Sequence, residues 1–157
     1  MKKIFLIFIF LLAVTFSYAQ DIDQNYINSR VEKMFNIFLD TTNKKFEGFD
    51  RHDINTYWEN TFNDDNNGVF PFMMYRIKNN DVTEIKEYKL FPPYSRSIAQ
   101  SKWYGAYLTA LEINGFNFSR TFMMYDFSYL EYIKNIGDKI IKVWVAEKNN
   151  SVELSMF

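Results

Sequence analysis

Residues 139–157 read KIIKVWVAEKNNSVELSMF, a pattern that predicts two β-strands joined by a tight turn. The strands are expected at 139–147 and 151–157. Along the second strand every other residue is apolar, which indicates a sheet with one face against the core and the other in solvent. The apolar positions are Val152, Leu154 and Met156, and the polar positions are Ser151, Glu153 and Ser155. This hairpin makes an antiparallel sheet the central prediction for the fold.

Before the hairpin, residues 116–127 predict another strand. Ser128 and Glu131 then have the spacing of a helix capping box, so a short helix is expected from Ser128 until Gly137 ends it. This part of the chain therefore predicts one strand and one short helix.

A longer helix is predicted over residues 97–114. Ser97 and Gln100 form a capping box at its start, and Gly115 is placed to end it. Apolar residues lie on two sides of this helix, so we expect it to be buried between layers or to use one side for a partner.

Two further strands are predicted in the middle of the chain. Residues 69–78 are apolar on both faces, and Pro71 favours a strand start, a sheet edge or a bulge. Residues 82–91 are expected to pair back as a strand because turn residues precede them. A helix remains the alternative there, since Asp81 and Glu84 also fit a helix start.

The N-terminal half predicts two helices. Apolar residues form one stripe along residues 24–40, which indicates an amphipathic helix. A second, short helix is expected to begin at Asp53 as its N-cap. Its apolar residues at helical spacing are Ile54, Tyr57, Trp58 and Phe62.

The segment after that helix has polar residues at alternate positions. Asn63, Asp65 and Asn67 precede Gly68 as in the first half of a calcium-binding loop. Met74 stands where such a loop needs a bidentate glutamate, so we expect a turn and predict no metal site and no cofactor.

These elements together predict an α+β fold in a single domain over residues 20–157. We expect N-terminal helices packed on one face of an antiparallel sheet of about four to five strands. The tetrapeptide Phe-Met-Met-Tyr occurs at 72–75 and again at 122–125. It indicates either a helix–strand unit duplicated once or a coincidence of composition.

Residues 1–19 predict a cleavable signal peptide. A short basic segment precedes an apolar run over residues 4–14, and Ser17 and Ala19 supply the small side chains that fit cleavage before Gln20. The apolar run is shorter than the roughly 20 residues of a spanning helix. We therefore expect export, to the periplasm or outside the cell, with no membrane span after cleavage.

Several classes of chemistry are excluded by residue type. The chain has no cysteine and a single histidine, so thiol catalysis and multi-histidine zinc sites are excluded. Its five glycines are scattered, and no phosphate-binding loop or dinucleotide motif occurs. The 18 basic and 19 acidic residues are nearly balanced, which argues against nucleic acid as a partner.

One cluster could support catalysis. His52 lies between Asp50 and Asp53, and either carboxylate could orient the imidazole as a general base. A hydrolase based on His52 or on carboxylates, with Asp64 as a further candidate, is the alternative functional hypothesis. The simpler interpretation is that Asp53 caps a helix beside a solvated histidine.

Aromatic residues make up 20% of the chain, more than a core of this size requires. We expect a non-catalytic binding or interaction module for a small apolar ligand or a partner protein. Arg96 at a helix start could add an anion site. The residues predicted to bind are Trp58, Trp103, Tyr104, Tyr107 and Arg96.

Overall fold

The computed structural model describes residues 22–39, 49–59, 71–79, 81–91 and 96–157, which form two helices and eight strands. The helices are α1 (Gln24–Leu39) and α2 (Arg96–Ile113). The strands are β1 (Phe49–Arg51), β2 (Thr56–Glu59), β3 (Phe72–Lys78), β4 (Asp81–Leu90), β5 (Asn117–Met124), β6 (Phe127–Ile136), β7 (Lys139–Lys148) and β8 (Ser151–Met156). The predicted signal peptide and the turn that contains Asp64 lie outside the described residues.

The eight described strands form one antiparallel sheet in the order β1-β2-β3-β4-β8-β7-β6-β5. Strands that follow each other in the chain pair as hairpins, first β1 to β4 and then β5 to β8. The two groups join through β4 and β8. Each half of the described fold is therefore one helix followed by a four-stranded meander.

The prediction of four to five strands was wrong, as was that of a second N-terminal helix. Of the segment expected to be that helix, residues 53–59 form the turn and the second strand of the hairpin β1–β2, in which Trp58 pairs with Met74 of β3. Phe62 lies outside the described residues. Asp53 lies in the hairpin turn, where its carboxylate accepts a hydrogen bond from the Asn55 N–H at 2.8 Å. A capping aspartate and a turn aspartate accept the same kind of bond, so the local pattern could not separate them.

The short helix expected at Ser128 was also wrong. These residues belong to β6, which pairs with β5 on one side and β7 on the other. The Glu131 carboxylate accepts hydrogen bonds from Trp144 and Arg120 on those neighbouring strands instead of capping a helix. Two ladders of backbone hydrogen bonds outweigh a capping pair worth about 1 kcal/mol.

The remaining elements were predicted within a few residues. The helices expected at 24–40 and 97–114 are α1 and α2, the ambiguous 82–91 is strand β4, and the hairpin of 139–157 is β7–β8.

The expectation that one side of β8 faces solvent was wrong. All six residues of β8 are buried, including its polar ones, which are 8% (Ser151), 7% (Glu153) and 3% (Ser155) exposed.

Both helices pack on the same face of the sheet and bury its apolar side chains. Both helices and the strands contribute fully buried side chains to this core, among them Met34, Tyr107, Tyr75, Ile85, Leu154 and Met156. Neither helix is long and apolar enough to cross a membrane. Tyr107 is fully buried in this core, and Tyr75 stacks on Tyr57 at 5.0 Å between ring centroids.

The repeated Phe-Met-Met-Tyr does not mark equivalent positions in the two halves. Residues 72–75 lie in β3, the third strand of the first half, whereas 122–125 lie in β5, the first strand of the second, and the turn after it. Tyr75 is fully buried and Tyr125 is 82% exposed. The repetition of topology and the repetition of this tetrapeptide are therefore separate observations.

Candidate ligand-binding site

The sheet has a gap where β8 ends. β8 has six residues, whereas β4 and β7 on its two sides have ten each. Met156 pairs with Ile85 on β4 and with Val143 on β7, so residues 81–84 and 139–142 extend past the end of β8. These two strand ends border a slot that β8 does not fill.

Phe157 occupies only the start of the slot. Its N–H donates to the Lys142 carbonyl at 2.8 Å, and its carbonyl accepts from the Lys142 N–H at 3.1 Å. Its ring packs against Trp144, with 4.6 Å between ring centroids. Phe157 therefore closes the end of the slot next to β8.

The end of α1 lies beside the slot and completes a cleft of about 390 Å³. Such a volume lies within the usual range for small-molecule sites, about 300–1,000 Å³. Most of the lining is apolar, from Phe38, Leu39, Val82, Ile140, Ile141 and Phe157. Ile140 is 60% exposed, so a large apolar side chain lies at the mouth of the cleft.

Two charged side chains complete the lining, Asp81 on β4 and Lys139 on β7. Both are exposed, and neither forms an ion pair with another residue in the described ranges. An apolar cavity with a few polar groups at one place fixes the orientation of a ligand while its body is buried. The lining therefore combines a mainly apolar surface with one acidic and one basic side chain.

A cluster of charged and polar side chains lies between α1 and the sheet. Arg30 donates to both oxygens of Glu87 on β4, at 2.8 and 2.7 Å, and to both oxygens of Glu59 on β2, at 2.9 and 2.6 Å. Lys33 also pairs with Glu59, and the Tyr107 hydroxyl donates to Glu87 at 3.2 Å. The side chains of Arg30, Glu59 and Glu87 are 9%, 8% and 0% exposed.

Burial and pairing act in opposite directions within this cluster. For Glu87, full burial outweighs the hydrogen bonds from Arg30 and raises the pKa. For Glu59, burial also raises the pKa, but the bonds and charges of Arg30 and Lys33 lower it overall. Each carboxylate binds a positioned cation within the core. We therefore interpret the cluster as a buried ion-pair network that links α1 to the sheet.

Lys89 is a buried amine on the same face of the sheet, and it is 4% exposed. It forms no ion pair with the residues that the structure describes. Its Nζ lies 5.0 Å from the ring centroid of Trp103 and 5.6 Å from that of Phe91. Burial lowers the pKa of Lys89 to about 8. The two rings partly offset its loss of hydration through cation–π attraction.

The opposite face of the sheet carries much of the aromatic surplus. The strand register places one row of side chains across six strands, namely Phe72, Tyr88, Glu153, Ala146, Tyr129 and Phe122. Adjacent rings stack at both ends of the row, at 5.2 Å for Phe72–Tyr88 and 5.5 Å for Phe122–Tyr129. In its middle, Glu153 pairs with Lys148 and Lys86. This row accounts for aromatic residues beyond the core.

The predicted binding residues lie outside the lining of the cleft, one on β2 and four on α2, where the ring centroids of Trp103 and Tyr107 are 6.0 Å apart. Trp58 lies on β2, stacks on Phe72 at 5.8 Å, and has a buried indole N–H without a hydrogen-bond partner in the described ranges. Trp103 contacts Lys89, Tyr107 belongs to the core, and Tyr104 on α2 packs against the edge of the core. Arg96 begins α2, and its side chain is outside what the structure describes. Ligand binding by these residues stays a prediction.

The candidate catalytic residues lie in and beside the β1–β2 turn. His52 is exposed, and its ring centroid is 5.1 Å from that of Trp58. Asp53 uses its carboxylate within the turn, where hydrogen bonds from Asn55 and Thr56 lower its pKa. Asp50 pairs with Trp58 across the hairpin. In the described ranges no group of three or more acidic or histidine side chains could hold a metal ion.

The cleft was not predicted from the sequence, although one signal for it was present. The two arms of the hairpin in 139–157 were predicted with unequal lengths, nine residues and seven, and the longer arm must extend past the shorter one. What could not be seen is that β8 has a second neighbour, β4, that also extends past it. That pairing joins the two halves of the chain and has no local signature.

No protein-family model, no curated protein and no solved structure matches this chain. Its class is therefore defined by geometry. It is an α+β protein with an eight-stranded antiparallel sheet in the described ranges, two helices on one face, and an apolar cleft at the end of β8.

Proposed function

We propose that this chain is an exported, non-catalytic binding module that holds a small, mainly apolar ligand in the cleft beyond β8. The observation that carries the proposal is the cleft itself, about 390 Å³ and lined mostly by aliphatic and aromatic side chains. Export is supported by the basic and apolar pattern of residues 1–19. An N-terminus at Gln20 in the secreted product, measured by mass spectrometry, would test that part.

The ligand class follows from the lining. Apolar atoms removed from water in the cleft supply the binding free energy, at roughly 25 cal/mol per Å². The exposed Asp81 and Lys139 favour a ligand whose single polar group stays at the rim, in contact with water. A long-chain alcohol has this chemistry, with an apolar body and one hydroxyl group.

The binding test uses 1-anilinonaphthalene-8-sulfonate as a fluorescent probe and decan-1-ol as its competitor. We expect the chain to enhance the fluorescence of the probe and decan-1-ol to displace it. Ile140→Asp places a charge at the mouth of the cleft and should weaken probe binding at least about tenfold. Val82→Trp should weaken probe binding as well, because its larger side chain occupies part of the cleft.

The matched control is Ile98→Asp on α2. Ile98 is 70% exposed and Ile140 is 60% exposed, so both substitutions place a charge at an exposed apolar site, but only Ile140 lines the cleft. If Ile98→Asp lowered the affinity for the probe as much as Ile140→Asp, or if decan-1-ol displaced nothing, the cleft would not be the binding site.

A further inference from the structure

Strand β5 is an open edge of the sheet that the described residues form. Among the described strands it pairs only with β6, and its other side has no strand partner. An open edge presents unpaired backbone N–H and C=O groups, and proteins usually protect such edges with proline, lysine or a very short strand. The edge formed by β1 has only three residues, two of them charged, whereas β5 has eight residues and one charge.

The register identifies which backbone groups face outward. Tyr125 and Asp126 form the two-residue turn between β5 and β6, and Met124 pairs with Phe127 across it. In such a hairpin the pair beside the turn is hydrogen-bonded, and bonded pairs alternate with non-bonded pairs along the ladder. The N–H and C=O groups of Thr121 and Met123 therefore point away from β6 and are available to another strand.

The regular part of this edge is symmetric about Phe122. A bulge interrupts the pairing between Phe118 and Arg120, and the turn ends the strand after Met124. Residues 120–124 form the uninterrupted segment, and Phe122 is its central residue. An identical strand that runs antiparallel, with the two-fold axis at Phe122, would place Thr121 of each copy opposite Met123 of the other.

The side chains of β5 are compatible with this self-pairing. Arg120 is the only charged residue of the strand, and its guanidinium is already bonded to Glu131 on β6 at 3.0 Å. In the symmetric register it would face Met124 of the other copy, so no like charges would oppose each other. Met123 is 68% exposed and Phe118 is 55% exposed, which leaves apolar surface along the edge.

We propose that two copies of this chain pair through their β5 strands, antiparallel and with the two-fold axis at Phe122, to form one continuous sheet. The pairing forms four backbone hydrogen bonds, two at each contact between Thr121 and Met123. It is independent of the cleft, which lies at β4 and β7 on the other side of β6.

Sedimentation velocity of the mature chain at roughly 100 µM tests the proposal, and we expect a dimer whose dissociation constant is micromolar or weaker. Met123→Pro removes an outward N–H without touching the β5–β6 ladder and should weaken the dimer at least about tenfold. A matched control uses lysine, because a proline at Ile98 would disrupt α2. Met123→Lys is therefore compared with Ile98→Lys. The two residues have similar exposure, and only Met123→Lys should dissociate the dimer.

The register is tested with a single cysteine, which is possible because the natural chain has none. Phe122→Cys should form a disulfide-linked dimer under mild oxidation, since a central non-hydrogen-bonded pair places the two Cα atoms about 4.5 Å apart. Ile98→Cys should not. A monomer at all concentrations, or a dimer unaffected by Met123→Pro and not cross-linked through position 122, would overturn the proposal.

Discussion

The guanidinium of Arg30 on α1 forms a bidentate ion pair with the carboxylate of Glu87 on β4. Its Nε donates to Oε1 at 2.8 Å, and its Nη2 donates to Oε2 at 2.7 Å. The same guanidinium binds Glu59 on β2. One side chain thus connects the first helix to two strands that are separated by β3.

Replacement of Arg30 by methionine leaves two carboxylates buried without their main partner. We expect Arg30→Met to lower the free energy of unfolding by about 3–5 kcal/mol, the usual cost of breaking a buried ion pair from one side. Urea denaturation followed by circular dichroism measures the change. Asn36→Met, on the exposed side of the same helix, should change it by less than about 0.5 kcal/mol. Equal effects of the two substitutions would contradict the role of Arg30.

The stability of the protein should depend on pH through Lys89. Burial lowers the pKa of this amine from 10.5 to about 8, so between these values the unfolded chain binds more protons than the folded one. The contribution of Lys89 to stability therefore rises with pH across this window, and below pH 8 the full penalty for burying a charge remains.

Lys89→Met removes that penalty but also the attraction to Trp103 and Phe91. We expect the variant to be more stable than the natural chain at pH 7, by about 1–3 kcal/mol, and the difference to shrink by pH 10. Denaturation of both proteins at the two pH values measures it. The exposed Lys102→Met should show no such pH-dependent difference. A constant gain at both pH values would exclude titration of Lys89 as the cause.

Substitutions in the β5–β6 turn should raise the thermal stability of the protein. Tyr125 and Asp126 both have positive φ, 52° and 64°, a left-handed region that glycine, asparagine and aspartate tolerate but that costs other residues, such as tyrosine, roughly 1–2 kcal/mol. The double variant Tyr125→Asn with Asp126→Gly supplies the residues that this turn prefers and should raise the melting temperature by several degrees. The same pair in reverse order, Tyr125→Gly with Asp126→Asn, is the control and should gain less. No gain from the first variant would show that the turn is not strained.

The ion pair of Glu153 and Lys148 should be strongly coupled. Their side chains are 9% and 25% exposed, so water screens the pair only partly. A double-mutant cycle with Glu153→Gln and Lys148→Met should give an interaction energy of about 1–3 kcal/mol. The pair Arg76–Glu84, in which Arg76 is 56% exposed, provides the comparison and should give less than about 1 kcal/mol. A smaller energy for the buried pair would contradict this assignment.

The elements that the sequence predicted correctly are those whose pattern is long or repeated. The apolar stripe of α1 and the alternation along 139–157 each extend over several turns or residues, so tertiary contacts had no reason to override them. The fold class was close for the same reason, although the number of strands was too low.

The two helices that were wrongly predicted, at Asp53 and at Ser128, rested on helix-capping residues in segments that instead pair as strands. Asp53 serves a turn and Glu131 serves two neighbouring strands, although each has the spacing of a helix cap. The cleft could not be predicted because it depends on the β4–β8 pairing, which joins residues more than sixty positions apart. Of its lining, Val82 and Ile140 lie in predicted strands, but nothing local brings them together.

The buried ion pairs of Arg30 with Glu59 and Glu87 also specify the register in which β4 pairs with its neighbours. A shift of β4 by one residue would turn Glu87 to the opposite face and present Lys86 or Tyr88 to Arg30. Such a misaligned chain would place two cations together, or leave one without its counter-ion, inside the core. Exchange of Arg30, Glu59 and Glu87 for apolar residues should therefore preserve collapse but permit several alignments, visible as multiple amide signals in an NMR spectrum.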